Sequence, residues 1–317
     1  MSGNISFLKD VELGLSNKPK FISSHYFYDK AGDVLFQQIM EMPEYYLTNS
    51  EMEIFREQSE TIIEAFSMVP TEEFELIELG AGDGKKTQHL LQALLQKEYN
   101  FKYIPVDISA NSLQVISGRL RNLFPGLNIE TRQGEYFQVL DALFRSPNPK
   151  VIMFIGSNLG NMVDEVAVQF LAKISRHLKS GEKLLLGLDL MKSAEIILPA
   201  YNDAAGITRD FNLNLLKRIN REFGADFNIA EFEHVPEYDE SEGIAKSYLK
   251  STKAQKVFIR DLGRSFDFDE GEKIHTEISR KYNDMILNDL MKGTSLEIEQ
   301  KFLDSRKYFA DYIINKQ

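Results

Sequence analysis

The chain has 317 residues, 43% of them hydrophobic, enough to bury one large core or one core and a smaller domain. Its 48 Asp and Glu outnumber 37 Lys and Arg for a net charge of -11, a field that repels nucleic acid and anionic membrane and suits a small zwitterionic or cationic ligand. There is no cysteine, which excludes disulfides and thiolate chemistry, and His25, His89, His177, His234 and His275 show no metal-ligand spacing, so no metal is expected. The start Met1-Ser2-Gly3-Asn4-Ile5-Ser6 lacks the basic and apolar regions of a signal peptide, and no apolar stretch approaches membrane-spanning length. We therefore expect a soluble, cytoplasmic monomer with no membrane or nucleic-acid partner.

Residues 1–60 read as helical and rich in aromatics, with Phe27, Tyr28, Tyr45 and Tyr46 beside turn residues. Such tyrosines ordinarily sit half-buried at a core; in a site their hydroxyls would bind a carboxylate while their rings face a cation. Next comes Leu76-Ile77-Glu78-Leu79-Gly80-Ala81-Gly82-Asp83-Gly84-Lys85-Lys86-Thr87, an apolar strand, a triple-glycine turn and a helix start. A second apolar strand, 101–106, ends at Asp107, whose carboxylate suits ribose hydroxyls at the edge of a parallel sheet. The spacing differs from the dinucleotide fingerprint. Gly80-x-Gly82-x-Gly84 with Glu78 before it fits S-adenosylmethionine better, since that ligand carries no phosphate that would need a helix N-terminus. An ordinary strand-to-helix turn is the competing reading.

Further strands are expected at 128–131, 150–155 and 183–188, with helices at 87–96, 112–123 and 163–178; this alternation predicts a parallel sheet with right-handed crossovers. Gly156-Ser157-Asn158-Leu159-Gly160-Asn161 follows one of these strands, where open α/β sheets bind ligands. Asn161 either orients an amine or caps the helix near Val163. From about 201 the alternation stops: a helix at 205–223 and extended pieces at 246–249, 255–259 and 273–279 suggest an insert. Within the last of these, Glu277 and Ser279 should share a strand face, as they would on a solvated strand too. Residues 296–302 and 308–314 read as a closing hairpin. A parallel sheet finished by an antiparallel hairpin is the build of a Rossmann-like methyltransferase.

Tyr26-Phe27-Tyr28-Asp29, Met42-Pro43-Glu44-Tyr45-Tyr46, Glu78-Leu79-Gly80-Ala81-Gly82, Pro105-Val106-Asp107-Ile108-Ser109, the 156–161 segment, Tyr201-Asn202-Asp203-Ala204-Ala205-Gly206-Ile207-Thr208 and Thr276-Glu277-Ile278-Ser279 occur in that order along the chain. Together they resemble the histidine-specific Nα-methyltransferases of ergothioneine biosynthesis, which trimethylate histidine to hercynine with S-adenosylmethionine. The resemblance implies an α/β fold, a Rossmann-like class I methyltransferase core with an inserted α+β substrate-binding domain. The expected division is a core of 61–200 plus 283–317, and a substrate domain made of 1–60 and the insert 201–282, packed over the cofactor cleft.

The family pattern puts Gly80 at the cofactor's methionine part, Asp107 on its ribose, and Glu135 and Tyr136 beside its adenine, with Glu135 replacing a commoner Asp. Glu78, Gly82, Lys86 and Gly156 are counted with them. It suggests Tyr45 and Tyr201 for the substrate α-carboxylate, Tyr28 and Asn161 for the α-amine, and Glu277 and Ser279 for the imidazole. Ser247 departs from the pattern, standing where a larger apolar residue is expected. A wider pocket would admit another aromatic amino acid or a modified histidine.

Overall fold

The structure is a computed structural model that describes residues 2–143 and 145–317, apart from the side chains of residues 2–4 and 137. In chain order its first elements are α1 (Ser2–Ser16), β1 (Lys20–Phe21), α2 (Lys30–Glu41), α3 (Tyr46–Ala65), β2 (Phe74–Leu79), α4 (Thr87–Gln96), β3 (Phe101–Asp107), α5 (Ala110–Leu123), β4 (Arg132–Gln133), α6 (Tyr136–Leu143), β5 (Lys150–Phe154) and α7 (Asp164–His177). They continue with β6 (Lys183–Asp189), α8 (Ala194–Tyr201), α9 (Ile207–Phe223), β7 (Phe232–Asp239), β8 (Ile244–Ser251), β9 (Gln255–Ile259), β10 (Arg264–Phe268), β11 (Lys273–Arg280), α10 (Asp284–Leu290), β12 (Leu296–Leu303) and β13 (Phe309–Lys316). The chain divides into two compact units, Leu47–Met191 with Lys281–Gln317, and Met1–Tyr46 with Lys192–Arg280. Among the described residues no helix is long and apolar enough to cross a membrane.

The first unit is built on a seven-stranded sheet of order β12-β13-β6-β5-β2-β3-β4, parallel from β6 to β4 and closed by the antiparallel β13 and β12. This is the core expected from the sequence, a parallel sheet closed by an antiparallel hairpin. Strands β2, β5 and β6 are buried at every position. Helices on both faces of a parallel sheet require that, and the strands alternate between two cores. Leu76, Val151 and Leu185 join α3 and α4 through Phe55, Ile62, Leu90 and Leu94, while Ile77, Ile152 and Leu184 join α7 through Phe170 and Ile174.

Helix α3 moves a boundary. We expected the core to begin near 61, but Ile54, Phe55, Ile62 and Ile63 are fully buried against this sheet, so it begins at Leu47. The other limits fall at 192 and 280 rather than 201 and 282, because α8 packs against β7. The strand expected at 128–131 is also corrected: Ile129 makes only an isolated bridge to Tyr103, and the paired edge is the exposed two-residue β4. Its apolar run is too short to hold a ladder of its own.

The second unit carries a four-stranded sheet, β1-β11-β8-β7, and a separate β9-β10 hairpin. Helix α9 covers the sheet and brings Phe211, Leu215, Leu216 and Ile219 into one core with Leu249 and Ile274. The sequence reading did not include β7. Its charges and Pro236 obscure a strand, and it lies at the sheet edge, where a residue without an N–H is tolerated.

Candidate active site

Strand β2 has β3 on one side and β5 on the other, both parallel to it, so the order of winding reverses there and opens a crevice beyond the C-terminal ends of β2 and β5. Gly80 stands at one lip with φ +72° and Gly156 at the other with φ +75°, conformations that side chains disfavour. A Cβ on Gly80 would lie 2.6 Å from the Tyr136 hydroxyl and 3.1 Å from Asn158 Nδ2. A Cβ on Gly82 would meet nothing within 4 Å. The Gly82 N–H donates to Asp107 Oδ2 at 3.3 Å and the Ser109 N–H to Oδ1 at 2.8 Å. Burial raises the Asp107 carboxyl against these bonds.

Beneath the turn, Glu78 is almost fully buried and accepts from the Tyr103 hydroxyl and from Thr87 Oγ1, the latter at 2.8 Å. Burial pushes its carboxyl up to about 7. Both oxygens accept bonds from inside the fold, so Glu78 supports the glycine turn from below. Glu51, which the sequence reading missed, accepts the Gly156 N–H at 2.7 Å and pairs with Lys86. Burial pulls the Lys86 ammonium down, and Glu51 more than offsets that, leaving it above the ordinary lysine value. Of the adenine pair, Tyr136 is half-buried beside Gly80 and Glu135 is exposed.

Asn161 ends a one-turn helix, Asn158–Asn161, and is exposed. It is not the helix cap: Val163 holds the α7 cap position without a side-chain bond, and Asp164 and Glu165 complement the dipole in the first turn. Asn158 was missed as well. Its Nδ2 donates to the Ile155 carbonyl at 2.8 Å, and its nearness to Gly80 is a contact that no local sequence signal carries.

In the second unit the ring-side residues meet on β8 and β11. A bulge between His275 and Glu277 resets the register, so that Glu277 pairs with Ser247 and Ser279 with Ala245. Without it, Glu277 would follow His275, which lies with Tyr248 on the other face, ring centroids 5.4 Å apart. Ser247, fully buried, donates its hydroxyl to Glu277 Oε2 at 3.1 Å. Tyr201, buried at the end of α8, donates to Ser279 Oγ at 2.8 Å. Asp203 anchors the head of α9 by accepting the Ile207 and Thr208 N–H groups, both at 2.8 Å.

Helix α9 also reaches the N-terminal tyrosines. Phe211 lies 5.9 Å from both Tyr28 and Phe36, and Phe36 lies 6.4 Å edge-on from Tyr45. The next residue, Asn212, accepts from Thr276 Oγ1 at 2.8 Å. Asp29, after Tyr28, caps α2 through the Gly32 N–H and binds Asn214 and Arg221 of α9. Burial raises its carboxyl, and those three bonds outweigh it to hold it below the usual range. The second unit thus brings Tyr28 and Tyr45 into one aromatic group and joins Tyr201 to Ser279 and Ser247 to Glu277.

The family of histidine-specific, S-adenosylmethionine-dependent methyltransferases matches residues 7–316. The chain belongs to this family. The histidine N-alpha-methyltransferases of Mycolicibacterium smegmatis and Mycobacterium tuberculosis are 36% identical over 274 residues and 34% over 281, covering 86% and 89% of this chain and 84% and 86% of theirs. An L-tryptophan methyltransferase of Psilocybe serbica is 25% identical over 322 residues, 94% of this chain and 89% of its own.

This histidine-specific methyltransferase family member is an S-adenosylmethionine-dependent N-methyltransferase. The crevice of its seven-stranded unit fits that cofactor. Open space at Gly82, close approach at Gly80 and a half-buried carboxylate at Asp107 suit a nucleoside that needs backbone contact and a ribose acceptor.

Proposed function

We propose that the enzyme methylates the α-amine of free L-histidine three times, giving hercynine. The observation that carries the ring assignment is the Ser247–Glu277 hydrogen bond on the bulged strand, which orients a half-buried carboxylate. A carboxylate oriented in this way suits an imidazole N–H. A substrate without an N–H to give would forgo that bond, at a cost of about 1–3 kcal/mol. In this reading Ser279 adds a second bond to the ring, while Tyr201 and Tyr45 take the α-carboxylate. Because Tyr201 and Ser279 are bonded to each other, their hydroxyl protons rotate when substrate replaces that bond.

S-adenosylmethionine supplies the electrophilic methyl group on a sulfonium. We assign its ribose to Asp107, its methionine end to Gly80, Gly156 and Lys86, and its adenine to Glu135 and Tyr136. On the family pattern, Asn161 and Tyr28 take the α-amine: the Asn161 carboxamide oxygen accepts one N–H and turns the nitrogen lone pair toward the methyl. The amine must be neutral, and a cationic neighbour in a partly desolvated setting disfavours ammonium. Tyr28, 41% exposed, is wet enough to pass the released proton on to water. The N-terminal segment and the insert make up the substrate domain. Incubation of purified protein with histidine and S-adenosylmethionine should yield mono-, di- and trimethylhistidine by mass spectrometry; no methylated histidine sinks the proposal.

Ser247 favours a second reading, another aromatic amino acid or a modified histidine. Its small side chain leaves more room beside Glu277 than a larger apolar residue would, and an L-tryptophan methyltransferase stands among the relatives. A side-by-side panel of free amino acids separates the two, and any competitor turned over faster than histidine selects this one.

A further inference from the structure

One glycine in an otherwise leucine-rich strand marks a device under the crevice. Gly187 of β6 pairs with Asp311 of β13, and a Cβ there would collide with Glu51 Oε1 and lie 2.8 Å from Asp311 Oδ1. The strand forgoes a side chain so that two carboxyl groups share the space above it. Both are fully buried. Glu51 is satisfied by the Gly156 N–H and by Lys86. Neither oxygen of Asp311 is met by any donor among the described residues.

A bare buried carboxylate beside a second one is untenable, whereas a carboxylic acid has a proton to give and Glu51 to accept it. Burial, then the Glu51 charge, holds the Asp311 carboxyl well above the usual range. The charged groups facing it are Glu51 from α3 and Lys86 from the head of α4; β6 presents Gly187, and β12 presents Phe302. Glu78 of β2 also acts on Lys86 through its charge.

We infer that Asp311 is a positioning residue kept as a carboxylic acid, whose hydrogen bond to Glu51 fixes the Gly156 N–H and the Lys86 ammonium for the amino-acid end of the cofactor. This rests on the assignment of Gly156 and Lys86 to that end. With the proton in place, Glu51 and Lys86 balance one another, and the ammonium can attract a second carboxylate. Loss of the proton adds a negative charge beside Lys86, draws the ammonium inward and repels the ligand's carboxylate.

Calorimetric titration of the full chain with S-adenosylhomocysteine, from neutral to alkaline pH, tests this without reference to turnover. Wild type should bind more weakly as pH rises. Asp311→Asn, whose amide donates to Glu51 but does not titrate, should stay within about threefold of wild type at neutral pH and lose most of the alkaline weakening. Asp311→Leu, which removes the donor, should bind about tenfold more weakly at neutral pH. An Asp311→Asn profile that still falls like wild type, or an Asp311→Leu affinity equal to wild type, overturns the inference. A wild type that binds no S-adenosylhomocysteine overturns instead the cofactor reading beneath it.

Discussion

Under the proposed function, the two units recognise different ligands by different means. In the seven-stranded unit the crevice is lined by backbone: glycines at the ends of β2 and β5, N–H groups tied to Asp107 and Glu51, and open space at Gly82. In the four-stranded unit the candidate residues are side chains from distant segments, Tyr28, Tyr45, Tyr201, Ser247 and Glu277, aligned by α9 and one bulge. Backbone geometry is costly to alter and resists change, whereas one side chain can be exchanged while the strand that bears it stays in place. If recognition is divided in this way, the fold can keep its cofactor and vary its amino acid, and damage to one half should spare the ligand of the other.

The largest expected effect breaks the backbone half. Gly80→Val adds a branched side chain at φ +72° and drives its Cβ toward the Tyr136 hydroxyl. Strain and clash together cost at least about 3 kcal/mol, so calorimetric affinity for S-adenosylhomocysteine should fall about a hundredfold or more. Retained affinity would show that the turn does not form the cofactor's cradle.

Buried titratable groups give the two units opposite responses to acid. Glu78 is raised by burial from 4.5 to about 7, so between those values the native state holds a proton that the unfolded chain has lost, and stability falls as pH rises. In the second unit His234 is lowered by burial from 6.5 to about 4, and its Nε2 is buried with no hydrogen-bond partner among the described residues. Between pH 4 and 6.5 the unfolded chain binds a proton the native state refuses, so stability rises with pH. Each contribution is at most about 3 kcal/mol. They oppose one another in the wild type. Urea unfolding across this range should show a steeper rise with pH in Glu78→Gln and a shift toward decline in His234→Gln; parallel profiles for all three proteins would remove the contrast.

Glu277→Ala is the side-chain counterpart of the glycine variant. Loss of a charge-assisted bond to the ring is worth about 2–3 kcal/mol, so kcat/KM for histidine should drop about a hundredfold while S-adenosylhomocysteine binds as before. An equal loss of cofactor affinity would collapse the distinction between the halves.

The same contrast decided what could be read in advance. The glycine turn, Asp107 and the segment after β5 are local patterns, legible because a strand, a turn and a helix start are contiguous in sequence. Even so, Glu51 and Asp311 escaped notice, for a buried acid on α3 or β13 resembles a solvated one until the sheet is assembled, and only Gly187 within a leucine run hinted that something needed the space. In the second unit, Tyr201 and Ser279 are linked across 78 residues, a contact that no periodicity encodes. The shared face of Glu277 and Ser279 follows from simple alternation, but the shift that turns Glu277 away from His275 and toward Ser247 depends on a bulge that alternation does not foresee. Strand β7 stayed hidden because an edge strand tolerates the proline and charges that sequence reasoning takes as breakers.

The smallest effect is the most discriminating. Ser247→Ala removes one donor from Glu277 but leaves the strand pairing in place, so the expected loss is about 1 kcal/mol, seen as a roughly fivefold higher KM for histidine with kcat little changed. Ser247→Met acts through volume instead. If the small residue only makes room, filling that room should depress turnover of bulkier aromatic amino acids and spare histidine; if the hydroxyl is needed to aim Glu277, both variants should weaken histidine alike. The ratio of kcat/KM for histidine and tryptophan across the two variants separates room from aim, and cofactor affinity, set by the other unit's backbone, should not move in either.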